Sequence, residues 1–235
     1  MFSFQELKSV HIEISNRCQA QCPMCSRNYH GGIENPLLRE SDWTFENFVH
    51  VFNTDVLNQI EKITFCGNFG DPLLNFHLIK MLDYIKDKHI YVDIHTNGSL
   101  RNEKFWKELP KHLPREHKVV FAIDGLADTH SRYRINTDYN KIISNARKFI
   151  NAGGTAEWSF IRFKHNAHQA IAAEEVSKYY GFKFFTLKDS SRFALENAFN
   201  VKNKLGHIVD TLEPFMPQPQ IDLKNNEVLS LRQSL

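Results

Sequence analysis

Cysteine is scarce in this 235-residue chain, which has four, three of them within eight positions. A disulfide framework would spread its cysteines, so scarcity and clustering exclude one and point to a reducing compartment and metal ligation. An excess of charge of one sign is lacking too. The 29 basic and 27 acidic residues leave a net charge of +2, which implies no polyanionic partner. Basic and aromatic residues are not interleaved, so nucleic-acid binding is not expected. No apolar run approaches membrane-spanning length, and no membrane association is expected. The N-terminus carries no basic stretch followed by an apolar one, so no signal peptide is expected and the cytoplasm is the expected compartment. Internal repeats and low-complexity segments are absent. What is present is ordinary: 42% hydrophobic and 24% charged residues, the balance of a globular chain long enough for one well-buried core.

Strand-like and helix-like patterns alternate along most of the chain. Strands are predicted at 10–15, 62–66, 90–95, 118–123, 156–164 and 183–188. Helices are predicted between them at 44–52, 73–86, 102–112, 139–151 and 168–180. Such alternation implies a parallel sheet with right-handed crossovers, either an open doubly wound sheet or a partly closed barrel. Strand polarity favours the barrel. Val10, Ile12 and Ile14 share one face of the first strand, and His11, Glu13 and Ser15 the other; in the third, Val92 and Ile94 oppose Asp93 and His95. Strands of a doubly wound sheet are apolar on both faces, whereas a repeated polar face suits a cavity for a polar ligand. The pattern ends near Phe193, and a proline-rich run from Glu213 to Gln220 follows. The chain therefore divides into a core, 1–193, and a C-terminal extension, 194–235, of unread fold.

The chemistry concentrates in Arg17-Cys18-Gln-Ala-Gln-Cys22-Pro-Met24-Cys25-Ser26, just past the first strand. Three thiolates are one short of a closed structural site, and the vacancy is what a reactive metal centre needs. The second strand ends in Cys66-Gly67-Asn68-Phe69-Gly70-Asp71-Pro72, where glycines let backbone approach a ligand. The third ends in His95-Thr96-Asn97-Gly98 and the fourth in Ala122-Ile123-Asp124-Gly125. In a parallel barrel these strand ends share one mouth.

Together these residues resemble the radical S-adenosylmethionine (SAM) superfamily, over about residues 8–193. Cys18, Cys22 and Cys25 match its cluster motif, and Gly70-Asp71-Pro72 resembles its glycine-rich turn, usually Gly-Glu-Pro. Thr96-Asn97-Gly98, Asp124-Gly125, the run Asp128-Thr-His130-x3-Arg134, and Asn166 are similar to the peptide-maturing SPASM/twitch branch. The resemblance implies a partial (β/α)6 TIM-like barrel and a [4Fe–4S] cluster held on three irons by the three cysteines. The fourth iron would chelate SAM, whose reductive cleavage yields a 5′-deoxyadenosyl radical that takes a hydrogen atom from the substrate, a peptide by branch. An external electron donor of flavodoxin or ferredoxin type is implied as well. The turn from Gly67 through Asn68, Phe69 and Gly70 to Asp71 would hold the methionine amino group through backbone carbonyls. Asp124 would lie near the ribose, Phe163 and Asn166 near the adenine, and Thr96 and Asn97 in the same mouth.

The sequence departs from the family at several points. Met24 stands where an aromatic residue usually packs on adenine, Asp71 is shorter than the common Glu, and Ala122 replaces a frequent serine. No cysteine follows Cys66, so the auxiliary-cluster part of the SPASM/twitch branch is lacking or lies beyond this chain.

Other readings of the same residues stand beside this one. The three cysteines could form a structural zinc site completed by His30 or Cys66, and the chain could be a non-catalytic metal- or Fe–S-binding module. The substrate could be a nucleoside or small metabolite. Cys66 reads as a small buried residue, and Trp43, Trp106 and Trp158 as packing residues. His95, Asp93 and Lys188 are cavity candidates by alternation. Arg134 and Arg192 could hold a carboxylate or phosphate, or form surface ion pairs. The loop 29–32 could cover a cluster or merely connect.

Overall fold

Six strands lie in one sheet in the order of the chain, and every neighbouring pair is parallel: β1 (Ser9–Ile12), β2 (Lys62–Phe65), β3 (Tyr91–Thr96), β4 (His117–Ala122), β5 (Ala156–Arg162) and β6 (Phe184–Asp189). The computed structural model describes residues 3–193 and 197–216, together with the backbone of two short strands, Gln220–Asp222 and Glu227–Leu229. A doubly wound sheet reverses its strand order at a switch point; this one does not. Right-handed crossovers without reversal put all the helices on one face, and the sheet curls into an open, partial (β/α)6 barrel. β1 and β6 form its two edges.

The crossovers hold α1 (Phe45–Val51), α2 (Thr54–Gln59), α3 (Leu78–Ile85), α4 (Glu103–Glu108), α5 (His130–Tyr133), α6 (Tyr139–Asn151) and α7 (Ala170–Tyr179). Side chains of Thr44, Asn53, Asn102 and Asp138 cap α1, α2, α4 and α6. The outer strand face carries Ile12, Ile63, Phe65, Ile94, Val119, Phe121 and Trp158, which pack on Phe48, Met81, Leu82, Trp106 and Phe149 of the helices. The inner face is polar, as the alternation predicts. At its N-terminal end Lys62 pairs with Asp93 at 2.6 Å and Lys118 with Glu157 at 2.6 Å.

The structure corrects three element expectations. The helix predicted at 73–86 is broken by Asn75, whose side chain donates to the carbonyls of Ile14 at 2.7 Å and Trp43 at 2.9 Å; a 3-10 turn, Pro72–Leu74, precedes the break. The helix predicted at 102–112 tightens to a 3-10 turn over Leu109–His112, where Pro110 has no N–H to give. α2 and α5 were not predicted. In the C-terminal part, β7 (Phe199–Lys202) and β8 (Ile208–Leu212) form an antiparallel hairpin. Its Val201 and Leu212 pack with Ala20, Met24, Tyr133 and Phe163 beside the cysteine loop. The proline-rich run is described as far as Met216, and 217–219 lie outside the described residues. Among the described residues no helix is long and apolar enough to cross a membrane.

Candidate functional site

The chain leaves β1 through Ile14 and Ser15 into the cysteine loop, and polar clamps fix its path. The Asn16 side chain accepts from Ser41 N at 2.7 Å and donates to Arg39 O at 2.7 Å. Arg17 pairs with Asp42 and donates to Leu74 O at 3.0 Å. The buried Arg27 donates to the Asn16 carbonyl and to Glu34 at 3.0 Å. Asn28 donates to the Cys22 carbonyl at 3.3 Å. A loop held at so many points presents its sulfurs in a set arrangement.

All three thiols are free, and each touches a different wall of the barrel mouth. Cys18 Sγ accepts from Asn97 Nδ2 at 3.7 Å, and Cys22 Sγ from Arg134 Nη1 at 3.8 Å; the Cys25 thiol donates to Asn68 O at 3.4 Å. Burial pushes the Cys18 and Cys22 thiols up, with Arg134 working against that at Cys22. Thiolates there want bound positive charge, which iron supplies, and soft sulfur donors suit an iron–sulfur cluster. Thiolates sharing one zinc ion at about 2.3 Å each would stand within about 4 Å of one another. Among the described residues no three His, Cys, Asp or Glu side chains form such a single-ion group. The residues present fit a cluster better than a closed zinc site.

The turn after β2 is built against this loop. Glu13, on the inner face beyond β1, accepts from Phe69 N at 2.8 Å and Gly70 N at 2.7 Å through one oxygen. Asp71 N donates to Arg17 O at 2.8 Å. A Cβ on Gly70 would stand 1.8 Å from Ser15 O, and one on Gly67 would stand 2.4 Å from Gly70 O. Both positions need glycine for close approach, and Glu13 fixes the turn through its amides.

Asp71 is buried and joins that turn to the one after β3. Its carboxylate accepts from Thr96 Oγ1 at 2.9 Å, Asn97 N at 2.8 Å, Asn97 Nδ2 at 2.7 Å and Leu73 N at 3.0 Å. Burial pushes its carboxyl up, and the amide and hydroxyl donors oppose that. Asn97 in turn accepts from Gln19 Nε2 at 2.9 Å, which closes a polar circuit between the cysteine loop and both turns.

A cavity of about 390 Å³ opens between these turns and the cysteines. Cys18, Cys22 and Cys25 line it, as do Gly67, Asn68, Phe69, Gly70, Asp71, Thr96 and Asn97. The structure does not bring Met24, Asp124, Phe163 or Asn166 to its wall. Met24 packs with Phe163 and Phe193 in the apolar cluster under the loop. The Asp124 carboxylate is wholly buried, taken up by Arg134 Nε at 2.6 Å and Ile161 N at 2.6 Å. Asn166 holds the turn after β5: it accepts from Phe163 N at 2.7 Å and donates to Asp124 O at 3.2 Å. Arg134 stands at the wall in front of Asp124, so the pair is no surface salt bridge. Burial works against its charge, and Asp124 with Cys22 more than offsets that, which raises its pKa.

His95 and Lys188 line the cavity as alternation suggests, together with Ser159 and Tyr133. Cys66 is also at the wall, its thiol pushed up to about 11 chiefly by burial. Sequence reasoning missed Glu13 and Tyr133. Glu13 carried one available signal, a carboxylate on the polar face of the strand that feeds the cysteines.

An open parallel barrel with three free thiols and a glycine turn at its C-terminal mouth defines a cluster- and cofactor-binding enzyme class. Residues 12–162 match the model of the Radical SAM superfamily, and the chain belongs to that superfamily, whose cofactors are a [4Fe–4S] cluster and SAM. Among curated relatives it is similar to a probable GTP 3′,8-cyclase of Methanocaldococcus jannaschii, 30% identical over 153 residues, 64% of this chain and 48% of that one. The chain spans less than half the length of the curated relatives it matches. Its fold is similar to Streptococcus suis SuiB bound to precursor peptide SuiA, with TM-score 0.64, 16% identity, and coverage of 77% of this chain and 39% of that one. It is also similar to anSMEcpe with bound AdoMet and Cp18Cys peptide, with TM-score 0.60, 19% identity, and coverage of 87% and 55%.

Proposed function

We propose that this chain is the catalytic core of an enzyme that cleaves SAM reductively and abstracts a hydrogen atom from a peptide or peptide-like substrate. The observation that carries this reading is the convergence of three free thiols and the Gly67–Gly70 turn on one cavity. Cys18, Cys22 and Cys25 would hold the [4Fe–4S] cluster. When bound, that cluster supplies the electron that breaks the sulfonium carbon–sulfur bond of SAM and so yields the hydrogen-abstracting species.

The protein's own share is orientation and exclusion of water. The carbonyls of residues 67–71 would receive the methionine amino group, and Glu13 and Asp71 hold that turn in place. Arg134, fixed by Asp124, tempers the charge at Cys22. Asn166 and Phe163 act behind the wall, shaping the backbone after β5 that would face the adenine, and Met24 fills the space beneath. The β7–β8 hairpin of the extension, 194–235, packs beside the cysteine loop of the core, 1–193, and shields it. An external flavodoxin- or ferredoxin-type donor supplies electrons, and the free thiols fit a reducing cytoplasm. The peptide reading is supported by the peptide-bound neighbours, and a nucleoside reading by the cyclase relative.

Anaerobic reconstitution with iron and sulfide tests the proposal. The expected result is brown protein that forms 5′-deoxyadenosine and methionine from SAM and dithionite, with loss of both in Cys22→Ala. A colourless protein, or turnover indifferent to Cys22→Ala, overturns it. Stimulation of deoxyadenosine formation by peptides and not by nucleosides separates the two substrate readings.

A further inference from the structure

We infer that the substrate entering this cavity carries an anionic group, and that Lys188, which lines the barrel's inner face in one cavity with His95 and Ser159, is where that group binds. The inference rests on the reading of the cavity as the reaction chamber and names the substrate's chemistry within it.

The charges around the cavity carry the argument. Arg134 is matched by Asp124 at 2.6 Å, and Asp189 by Arg162 at 2.8 Å. The Asp71 carboxylate is taken up by Thr96, Asn97 and Leu73, and Glu13 by two backbone amides. Deeper on the inner face, Lys62 pairs with Asp93 and Lys118 with Glu157, although Asp93 Oδ1 has no hydrogen-bond partner among the described residues. Two cations remain. Arg192 Nη1 donates to Met24 O at 2.7 Å and so belongs to the cysteine-loop side. Lys188, an exposed side chain, has no ion pair or hydrogen bond among the described residues and lines the cavity wall near the C-terminal end of β6, opposite Ile161.

Its neighbours complete an acceptor-seeking site. His95 and the Ser159 hydroxyl also line the cavity without a hydrogen-bond partner among the described residues. Burial holds His95 below its ordinary value, with Asp93 opposing that and Lys188 adding to it, so the imidazole is neutral near pH 7 and offers a hydrogen bond in place of a second charge. An unmatched ammonium sharing a cavity with two neutral hydrogen-bonding groups suits a carboxylate or a phosphate.

The test is lysine acetylation of the anaerobically reconstituted wild-type protein, read residue by residue by mass spectrometry. The probes are glutarate, inorganic phosphate and neutral glutaramide. A saturating ligand removes Lys188 from the reagent, so its labelling rate falls by about tenfold with the matching anion, while exposed Lys104 on α4 is unchanged. Protection by glutarate alone assigns a carboxylate, as on an acidic peptide; protection by phosphate alone assigns a phosphoryl group. Unchanged Lys188 labelling with both anions, equal protection by glutaramide, or equal protection of Lys104 overturns the inference. Deoxyadenosine formation by the same preparation without substrate reports separately on the radical SAM reading, so the two can fail independently.

Discussion

Replacing Asp71 probes the joint between the cysteine loop and the two turns that face it. In Asp71→Ala, Leu73 N and Asn97 N lose their acceptor in a site where Asp71 is 3% exposed, while Asn97 Nδ2 keeps Gln19 Oε1 at 3.3 Å. Each orphaned donor costs about 1–3 kcal/mol, and water from the adjoining cavity relieves part of that, so the sum is about 2–4 kcal/mol. That is a large fraction of a domain's total of about 5–15 kcal/mol. Asp71→Asn keeps one oxygen, which can serve either Leu73 N or the two Asn97 donors but not both. It should cost about 1–3 kcal/mol. Urea unfolding followed by tryptophan fluorescence reads the difference, since Trp106 and Trp158 are fully buried. With a slope of about 2–3 kcal/mol per molar urea, the midpoint falls by about 1–2 M for Ala and by under about 1 M for Asn. An alanine variant within about 0.5 kcal/mol of wild type, or an asparagine variant less stable than alanine, would show that the circuit through Thr96 and Asn97 does not hold the site together.

Gly70→Ala should fold but bind SAM at least about tenfold more weakly in equilibrium dialysis, because its Cβ would overlap Ser15 O and shift the turn; unchanged affinity contradicts the close-packing argument. His130 accepts from Asp124 N at 3.2 Å through Nδ1 and contacts Thr137 Oγ1 at 2.9 Å through Nε2, an arrangement of the neutral ring. Burial brings it down to about 3 from the ordinary 6.5. The unfolded chain therefore binds the extra proton between those values, and stability falls as pH drops below about 6.5, by about 2 kcal/mol at pH 5 from this group. His130→Asn should flatten that slope in urea unfolding, and an unaltered slope refutes the assignment. Leu212→Ala, which opens the hairpin's contact with the cysteine loop, should cost about 2–5 kcal/mol and quicken cluster bleaching in air; bleaching at the wild-type rate would show that the hairpin does not shield the loop.

Much of the fold was legible because alternation is a local signal. Val92 and Ile94 against Asp93 and His95 already separate the outer core face from the inner polar one, and that contrast is what distinguishes a barrel from a doubly wound sheet. The elements that were missed depend on non-local partners. Asn75 breaks a helix because it reaches Ile14 and Trp43, far away in sequence. α5 is a single short turn with His130 and Tyr133 buried, too brief to show a period. The cysteines and glycines could be read from type and spacing, since few other chemistries need them so placed. The setting of Glu13, and of Asp124 behind Arg134, could not, because each follows from which strand ends the barrel brings together.

The central claim is a cluster gripped by Cys18, Cys22 and Cys25 with one iron left for SAM. The most direct test is electron paramagnetic resonance of the reduced, anaerobically reconstituted protein before and after SAM is added. A [4Fe–4S] signal whose g-values move on addition of SAM is the predicted result. A signal that SAM leaves unmoved, or reconstituted protein that carries zinc and no such signal, would contradict the account.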